Sequence, residues 1–263
     1  MGLSNSKIKE IRSLHQKKFR NLTRRFIVEG EKLVEEALNS DYNVLEVYKV
    51  DEIGVDTMSR ISALSTPSPI LAVVQERESG ATVANEDIDV EHLLNSLEIT
   101  EDALYLILDD IKDPGNLGTI IRTAEWFGFS GVIASEQTVE LYNPKTVQAT
   151  MGALFRMNIL YLPIDKVVKS FIERSVEVYA TLLDGDRVGN IKEKIEGKCS
   201  AFIFGNESLG ISKEIVDLID SDHRILIPQY DKLGKVKAAE KFRMSESLNV
   251  ASSVAALSAL IRS

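Results

Sequence analysis

Residues 104–133 read LYLILDDIKDPGNLGTIIRTAEWFGFSGVI, an order of residue types that decides the fold. The run Ala103 to Leu108 is apolar and short, as a buried strand of a parallel sheet requires. Two aspartates and the loop Asp113-Pro114-Gly115-Asn116 follow. Ile120, Ile121, Ala124 and Phe127 then recur at helical spacing, and Gly128 supplies a C-terminal stop. A second apolar stretch, Gly131 to Ala134, resumes the sheet. This is a strand–helix–strand unit whose first turn presents backbone amides and Asn116, with Arg122 two turns into the helix. Ligands gather at the carboxyl ends of strands in such sheets, so this turn is the first candidate site. The same pattern also describes a well-made βαβ unit with a solvated arginine.

The chain has 263 residues, room for one large domain or two modest ones, and its 44% apolar content is enough for a core. No apolar run is long enough to span a membrane and the N-terminus has no apolar signal segment, so a cytoplasmic protein is expected. The opening MGLSNS fits the permissive myristoylation pattern through Gly2 and Ser6, a match short enough to arise by chance. Asn21-Leu22-Thr23 and Asn206-Glu207-Ser208 fit the glycosylation sequon, which carries no weight without a secretory signal. Cys199 stands alone, excluding an intramolecular disulfide and a cysteine metal cluster; before an apolar run it reads as a small buried hydrophobe.

The net charge of −9 argues weakly against nucleic acid as a partner, but the charge is unevenly spread. Residues 1–25 carry Lys7, Lys9, Arg12, Lys17, Lys18, Arg20, Arg24 and Arg25 against Glu10 alone, a local +7 that leaves −16 elsewhere. Segment 4–18 reads as a helix with Ile8, Ile11 and Leu14 on one face. Its basic groups fit either an RNA-facing arm or a solvated helix.

Along the chain, Phe26 to Val28 is a short strand, Glu29 to Leu38 a helix, and Val44 to Val50 and Ile70 to Val74 are further strands. Residues 1–75 thus make a small α/β unit. The acidic stretch Gln75 to Asp102 reads as a connector with one short helix near His92 to Leu97. The boundary near residue 100 divides the chain into 1–99 and 100–263. In the second part, helices are expected at Asn143 to Ala153, Ile164 to Ile172, Ile211 to Ile219 (with Ser212 as a candidate cap) and Ser245 to Arg262. Strands are expected at Arg156 to Tyr161, Val176 to Leu182, Ser200 to Phe204 and His223 to Ile227. The alternation predicts an α/β domain with a mostly parallel sheet covered on both faces. The small residues of the last helix suit close packing against another helix, and so self-association.

Several chemistries find no residues to carry them. No G-x-G-x-x-G follows the first strand of the second domain, and no glycine loop ends in Lys-Ser/Thr. His15, His92 and His223 stand apart, without metal-ligand spacing, so no metal is expected. Gly205-Asn206-Glu207-Ser208-Leu209-Gly210 misses the hydrolase elbow by one residue and has no evident histidine to activate Ser208. What remains is three strand-end loops rich in glycine, amide and carboxylate groups, one arginine, and the polar pair Ser247 and Asn249.

Here the residues carry a resemblance. Asn116-Leu117-Gly118 with Arg122, then Phe204-Gly205-Asn206-Glu207-Ser208-Leu209-Gly210, then Ile225 to Pro228 with Ser247-Leu248-Asn249-Val250-Ala251, resemble the three ordered motifs of SpoU/TrmH-class SPOUT RNA 2′-O-ribose methyltransferases. The match covers about residues 103–263. Residues 20–75, notably FIVEGEKLVEEAL from Phe26 to Leu38, resemble the small substrate-binding domain often fused in front.

The resemblance implies an α/β catalytic domain with a trefoil knot, an exception to the rule that chains are unknotted. It implies a homodimer, with each active site completed by the second copy, and S-adenosylmethionine as methyl donor. Carried over by position, Gly205, Ile227 and Leu248 line the donor pocket, while Asn116, Arg122, Glu207, Ser247 and Asn249 form the polar catalytic set. A ribose hydroxyl must lose its proton as it attacks, and a fixed guanidinium at Arg122 favours the alkoxide. Glu207 fits two roles: orienting a loop or the donor's amino group, or acting as a carboxylate at a helix N-terminus. Ribosomal RNA, most directly 23S rRNA, is the expected substrate, with tRNA second.

The family usually passes from Ile-Pro to Ser-Leu-Asn in a few residues, whereas Gln229 to Arg243 intervene here, a basic-rich stretch beside the donor pocket. Two other readings stay open: a non-catalytic RNA-binding module of the same fold, and methylation of a base rather than a ribose.

Overall fold

The computed structural model describes residues 3–77, 90–230 and 247–263. The helix expected over 4–18 is two helices, α1 (Asn5–Ser13) and α2 (Lys17–Thr23). Arg20 explains the break: its Nη1 donates to the Leu14 carbonyl at 2.6 Å, claiming an acceptor that the end of α1 leaves free. β1 (Arg25–Glu29), α3 (Glu31–Leu38), β2 (Val44–Lys49), α4 (Val50–Ile53), α5 (Val55–Ile61) and β3 (Ile70–Gln75) follow. The helix expected from Glu29 starts at Glu31 because Gly30, at φ +108°, turns the chain out of the strand. β3 lies between β1 and β2 and is antiparallel to both.

The larger unit runs α6 (Val90–Ser96), β4 (Leu104–Asp109), α7 (Pro114–Trp126), β5 (Gly131–Ala134), α8 (Pro144–Thr150), β6 (Ile159–Tyr161) and α9 (Ile164–Glu173). It continues with β7 (Glu177–Arg187), α10 (Ile191–Ile195), β8 (Ser200–Gly205), α11 (Lys213–Val216), β9 (Arg224–Leu226) and α12 (Val250–Arg262). Among the described residues its strands form one sheet in the order β6-β5-β4-β8-β7-β9, with every pairing parallel. The expected α/β fold with a covered parallel sheet is what the chain forms.

Several boundaries differ from expectation. The helix expected over 143–153 ends at Thr150, where Met151 takes φ +51° and a 3-10 turn, Ala153–Phe155, follows. β7 runs past Leu182 to Arg187 because, after an irregularity between Thr181 and Asp186, it pairs with β9. α11 is only four residues of the expected 211–219, and Ser212 stands at its N-cap without a side-chain capping bond. Of the helix expected over 245–262, residues 245 and 246 lie outside the described residues, and α12 starts at Val250: Asn249 Oδ1 accepts from the Ala251 and Ser252 amides at 3.0 and 3.3 Å and fixes the helix start there.

The pleat divides β4 between two cores. Tyr105 and Ile107 join Val167, Val168 and Phe171 of α9 on one face. Leu104, Leu106 and Leu108 join α7, α8 and α12 on the other, and that core extends without a break to Phe26, Val28, Ala72 and Val74 of the antiparallel sheet. Aromatic rings bridge the seam: Phe26 stacks on Tyr142 at 4.4 Å, and Tyr42 meets Phe155 edge-on at 5.1 Å. Arg20, only 2% exposed, ion-pairs with Glu140 across the same seam. No helix among the described residues is long and apolar enough to cross a membrane.

Candidate active site

The carboxyl ends of β4 and β8 lie side by side, and the aspartates after β4 build the loop after β8. Asp109 Oδ2 accepts the Ser212 amide at 2.7 Å. Asp110, at φ +62°, presents its carbonyl and Oδ2 to Asn206 Nδ2 at 2.9 and 3.1 Å. Asn206 Oδ1 in turn accepts the amides of Ser208 and Leu209 at 2.9 and 3.0 Å, and the backbones of Asn206 and Gly210 pair with each other. The loop closes so tightly that a Cβ on Gly205 would overlap the backbone of Gly210 and Ile211. Only glycine fits there.

Glu207 emerges from this loop as a hub. Its Oε1 accepts Asn116 Nδ2 at 2.9 Å and the Asp113 amide at 3.3 Å, and its Oε2 accepts the Lys112 amide at 3.3 Å. Burial pushes the carboxyl pKa up, but the bonds from Asn116 and the two amides outweigh it and hold the group below its usual range. The N-cap of α7 belongs to Asp113, whose Oδ1 accepts the Asn116 amide at 2.8 Å. Glu207 therefore braces the loop leading into α7 and Asn116 itself. Asn116 Oδ1 accepts Asn249 Nδ2 at 3.0 Å, so one chain of bonds joins the loop after β8, the start of α7 and the start of α12.

Beside this chain lies a cavity of about 400 Å³. Gly205, Ile227 and Leu248 are on its wall, as are Glu207, Ser247 and Asn249. Asn116 joins it through its bonds to Glu207 and Asn249. Arg122 does not: six residues along α7, it is exposed, lies off the cavity wall, and its side chain bonds to no other described residue. Sequence reading missed the wall given by Thr181, Leu182 and Leu183. Thr181 and Leu182 close the strand expected over 176–182, so the rule that ligands gather at strand carboxyl ends is the signal that points to this wall. Of the intervening stretch 229–243, residues 231–243 lie outside the described residues. Among the described residues no group of three or more His, Cys, Asp or Glu is placed to hold a metal ion.

The basic segment is partly spent on the fold. Lys7 pairs with Glu46 at 2.6 Å, Arg24 with Glu76 at 3.1 Å, Arg25 with Glu10 at 3.4 Å, and Arg20 is buried against Glu140. Lys9, Arg12, Lys17 and Lys18 remain exposed, their side chains unbonded to other described residues. Cys199 is buried as expected.

Comparison with known proteins follows the same division. A family model described as the SpoU rRNA Methylase family matches residues 103–258, and one described as the MRM3-like substrate binding domain matches residues 5–76. The 23S rRNA (guanosine(2553)-2'-O)-methyltransferase RlmP of Bacillus subtilis is 29% identical over 268 residues, covering 96% of this chain and 94% of that one. The AdoMet-bound rRNA methyltransferase from Sinorhizobium meliloti superposes with a TM-score of 0.78 at 28% identity, covering 100% of this chain and 96% of that one. The SpoU methyltransferase AviRb from Streptomyces viridochromogenes has a TM-score of 0.76 at 20% identity over 98% of this chain and 96% of its own, a likeness of fold.

Proposed function

The chain belongs to the SpoU rRNA methylase family and is an S-adenosylmethionine-dependent RNA methyltransferase, and from that premise we propose that it methylates a ribose 2′-hydroxyl of 23S rRNA. The observation that carries the reading is the bonded triplet Glu207–Asn116–Asn249 at the edge of a cavity walled by Gly205, Ile227 and Leu248.

The cavity fits the donor in size and chemistry. At about 400 Å³ it falls within the range of small-molecule sites, with apolar walls at Leu182, Leu226, Ile227 and Leu248 for an adenine ring. Gly205, which has no room for a side chain, leaves backbone amides and carbonyls to bind the ring edge. The Glu207 carboxylate suits the positive charge of the donor's amino group or sulfonium. When bound, S-adenosylmethionine supplies a methyl group already activated on sulfur.

The protein's own task is then orientation and removal of a proton. Asn116 and Asn249, locked to each other and to Glu207, hold the two helix starts that frame the ribose. Ser247, on the cavity wall, offers a hydroxyl to the same end. Arg122 stabilises the forming alkoxide or its adjacent phosphate. Its place off the cavity wall of its own chain supports a homodimer in which Arg122 of a second copy completes each site. The exposed edge of α7 that carries Arg122 and Trp126, packed beside α12, is the surface we assign to that contact.

Three further assignments belong to the same reading. The return of α12 from the sheet edge at β9 to α7 supports a trefoil-knotted path. Residues 1–99 bind the RNA substrate and residues 100–263 catalyse, with Lys9, Arg12, Lys17 and Lys18 available to phosphates. The place of work is the cytoplasm, where ribosomal RNA is assembled.

Transfer of labelled methyl from S-adenosylmethionine to unmodified 23S rRNA, followed by digestion to nucleosides, tests the whole. Label in a 2′-O-methylnucleoside is the expected result. Label on a base overturns the role given to Arg122, label in tRNA alone overturns the substrate, and donor binding without transfer to any RNA leaves a binding module.

A further inference from the structure

A second cavity, of about 270 Å³, opens on the seam between the two sheets. One wall is Ile27 of β1 with Ala63 and Leu64 from the loop after α5, and the other is Pro144 and Val147 of α8. Glu29 fixes the first wall. Only 4% exposed, it accepts the Ser62 hydroxyl on Oε2 and the Ala63 amide on Oε1, each at 2.6 Å. A buried carboxylate with two charge-assisted bonds makes that loop a rigid surface rather than a loose flap.

The second wall carries the unused chemistry. Gln148 and Lys145 both line the cleft, and the side chain of neither bonds to another described residue. Ala149 closes the inner side, and behind it α7 packs so near that a Cβ on Gly118 would lie 2.5 Å from Ala149 Cβ. Gly118 is two residues from Asn116, so only α8 separates this cleft from the helix that opens the active site.

We propose that the cleft is a subsite for an unpaired nucleobase of the substrate RNA, close along the strand to the methylated nucleotide. This deepens the reading of the chain as an RNA methyltransferase and rests on it. Apolar walls on two sides suit the faces of a planar base. Gln148 presents a donor and an acceptor side by side, the arrangement that matches a base edge. Lys145, exposed beside it, supplies a point charge for the phosphate that the base brings with it. Sequence in RNA is read mainly from bases splayed out of single-stranded segments, and a slot open to solvent admits one such base. Because its walls come from both units, the occupant is gripped only when the units keep their mutual position.

The test uses the full chain and a 23S rRNA transcript. Ala63→Trp fills the cleft from an exposed position, and Gln148→Ala removes the amide while leaving the apolar walls of Ile27, Leu64, Pro144 and Val147 unchanged. Each is expected to weaken RNA binding about tenfold or more, with S-adenosylmethionine affinity and melting temperature unchanged. Lys145→Ala is expected to lower the slope of log affinity against log salt by about one. Wild-type RNA affinity in both Ala63→Trp and Gln148→Ala overturns the subsite. An unaltered protein that binds S-adenosylmethionine but no RNA overturns the functional reading beneath it, so the two failures are told apart.

Discussion

Glu207 Oε1 accepts a hydrogen bond from Asn116 Nδ2 at 2.9 Å, and through it the loop after β8 controls where α7 begins. The pair is the joint of the candidate site, because Asn116 passes the constraint on to Asn249 and the start of α12. Loss of the joint should release two helix starts together.

Glu207→Gln keeps an acceptor but removes the charge from three bonds, and Glu207→Ala removes all three. Methyl transfer should fall about tenfold in the first and about a hundredfold in the second, in line with lost charge-assisted bonds of roughly 1.5–3 kcal/mol. The folded carboxyl titrates below its ordinary range. Its contribution to stability is therefore full above about pH 4.3 and disappears as the pH falls through the depressed value. Acid unfolding of wild type and Glu207→Gln should converge across that interval; parallel curves would contradict the assignment.

Arg122→Ala should lower turnover at least a hundredfold while leaving S-adenosylmethionine affinity intact, since Arg122 lies off the cavity wall of its own chain. Mixing Arg122→Ala with Glu207→Ala separates the two geometries. If a second copy supplies the arginine, random pairing gives half the dimers one intact site, and activity returns to about a quarter of wild type. No recovery after subunit exchange would return Arg122 to its own chain's site.

Gly205→Ala should abolish donor binding while the sheet survives. The added methyl overlaps the backbone of Gly210 and Ile211, so the whole loop must move rather than one side chain. Titration calorimetry with S-adenosylmethionine reads the effect directly, and a retained affinity would show that the loop yields at little cost.

His223 should make the protein's stability fall as the pH rises above about 6.5. Burial pulls its pKa down, but Nε2 bonded to Glu177 at 2.7 Å and Nδ1 to Asp222 at 3.1 Å outweigh it and raise the value above the ordinary one. The stabilisation is complete below about pH 6.5 and is lost as the pH rises through the raised pKa. Melting temperature should thus fall from pH 6 to pH 8 in wild type relative to His223→Gln.

The parts of the fold that sequence could reveal are those governed by period and punctuation. β4 and α7 were legible because six apolar residues, a Pro-Gly loop and a helical repeat follow in order, and Gly128 does end the helix, at φ +67°. Tertiary pairing was not legible. β7 continues through the polar residues Asp184 and Asp186 because β9 lies alongside to bond it. The two-helix N-terminus depends on Arg20, whose charge pattern reads as solvent-facing although it is buried under Glu140. At the site, the ordered motifs identified which loops meet, but not that Arg122 would stand apart from the residues it accompanies in sequence.

The core runs unbroken from Leu106 to Phe26 and Val74. Two units joined by a thin hinge can swing, and each can find its own part of a flexible RNA. Two units sharing one interior cannot. With Arg20 and Glu140 pinning the rim of the joint, the N-terminal surface and the candidate site sit at a fixed separation, like the jaws of a caliper. The protein would then choose its nucleotide by measurement: among many identical riboses, the one modified is the one that stands the set distance from the grip.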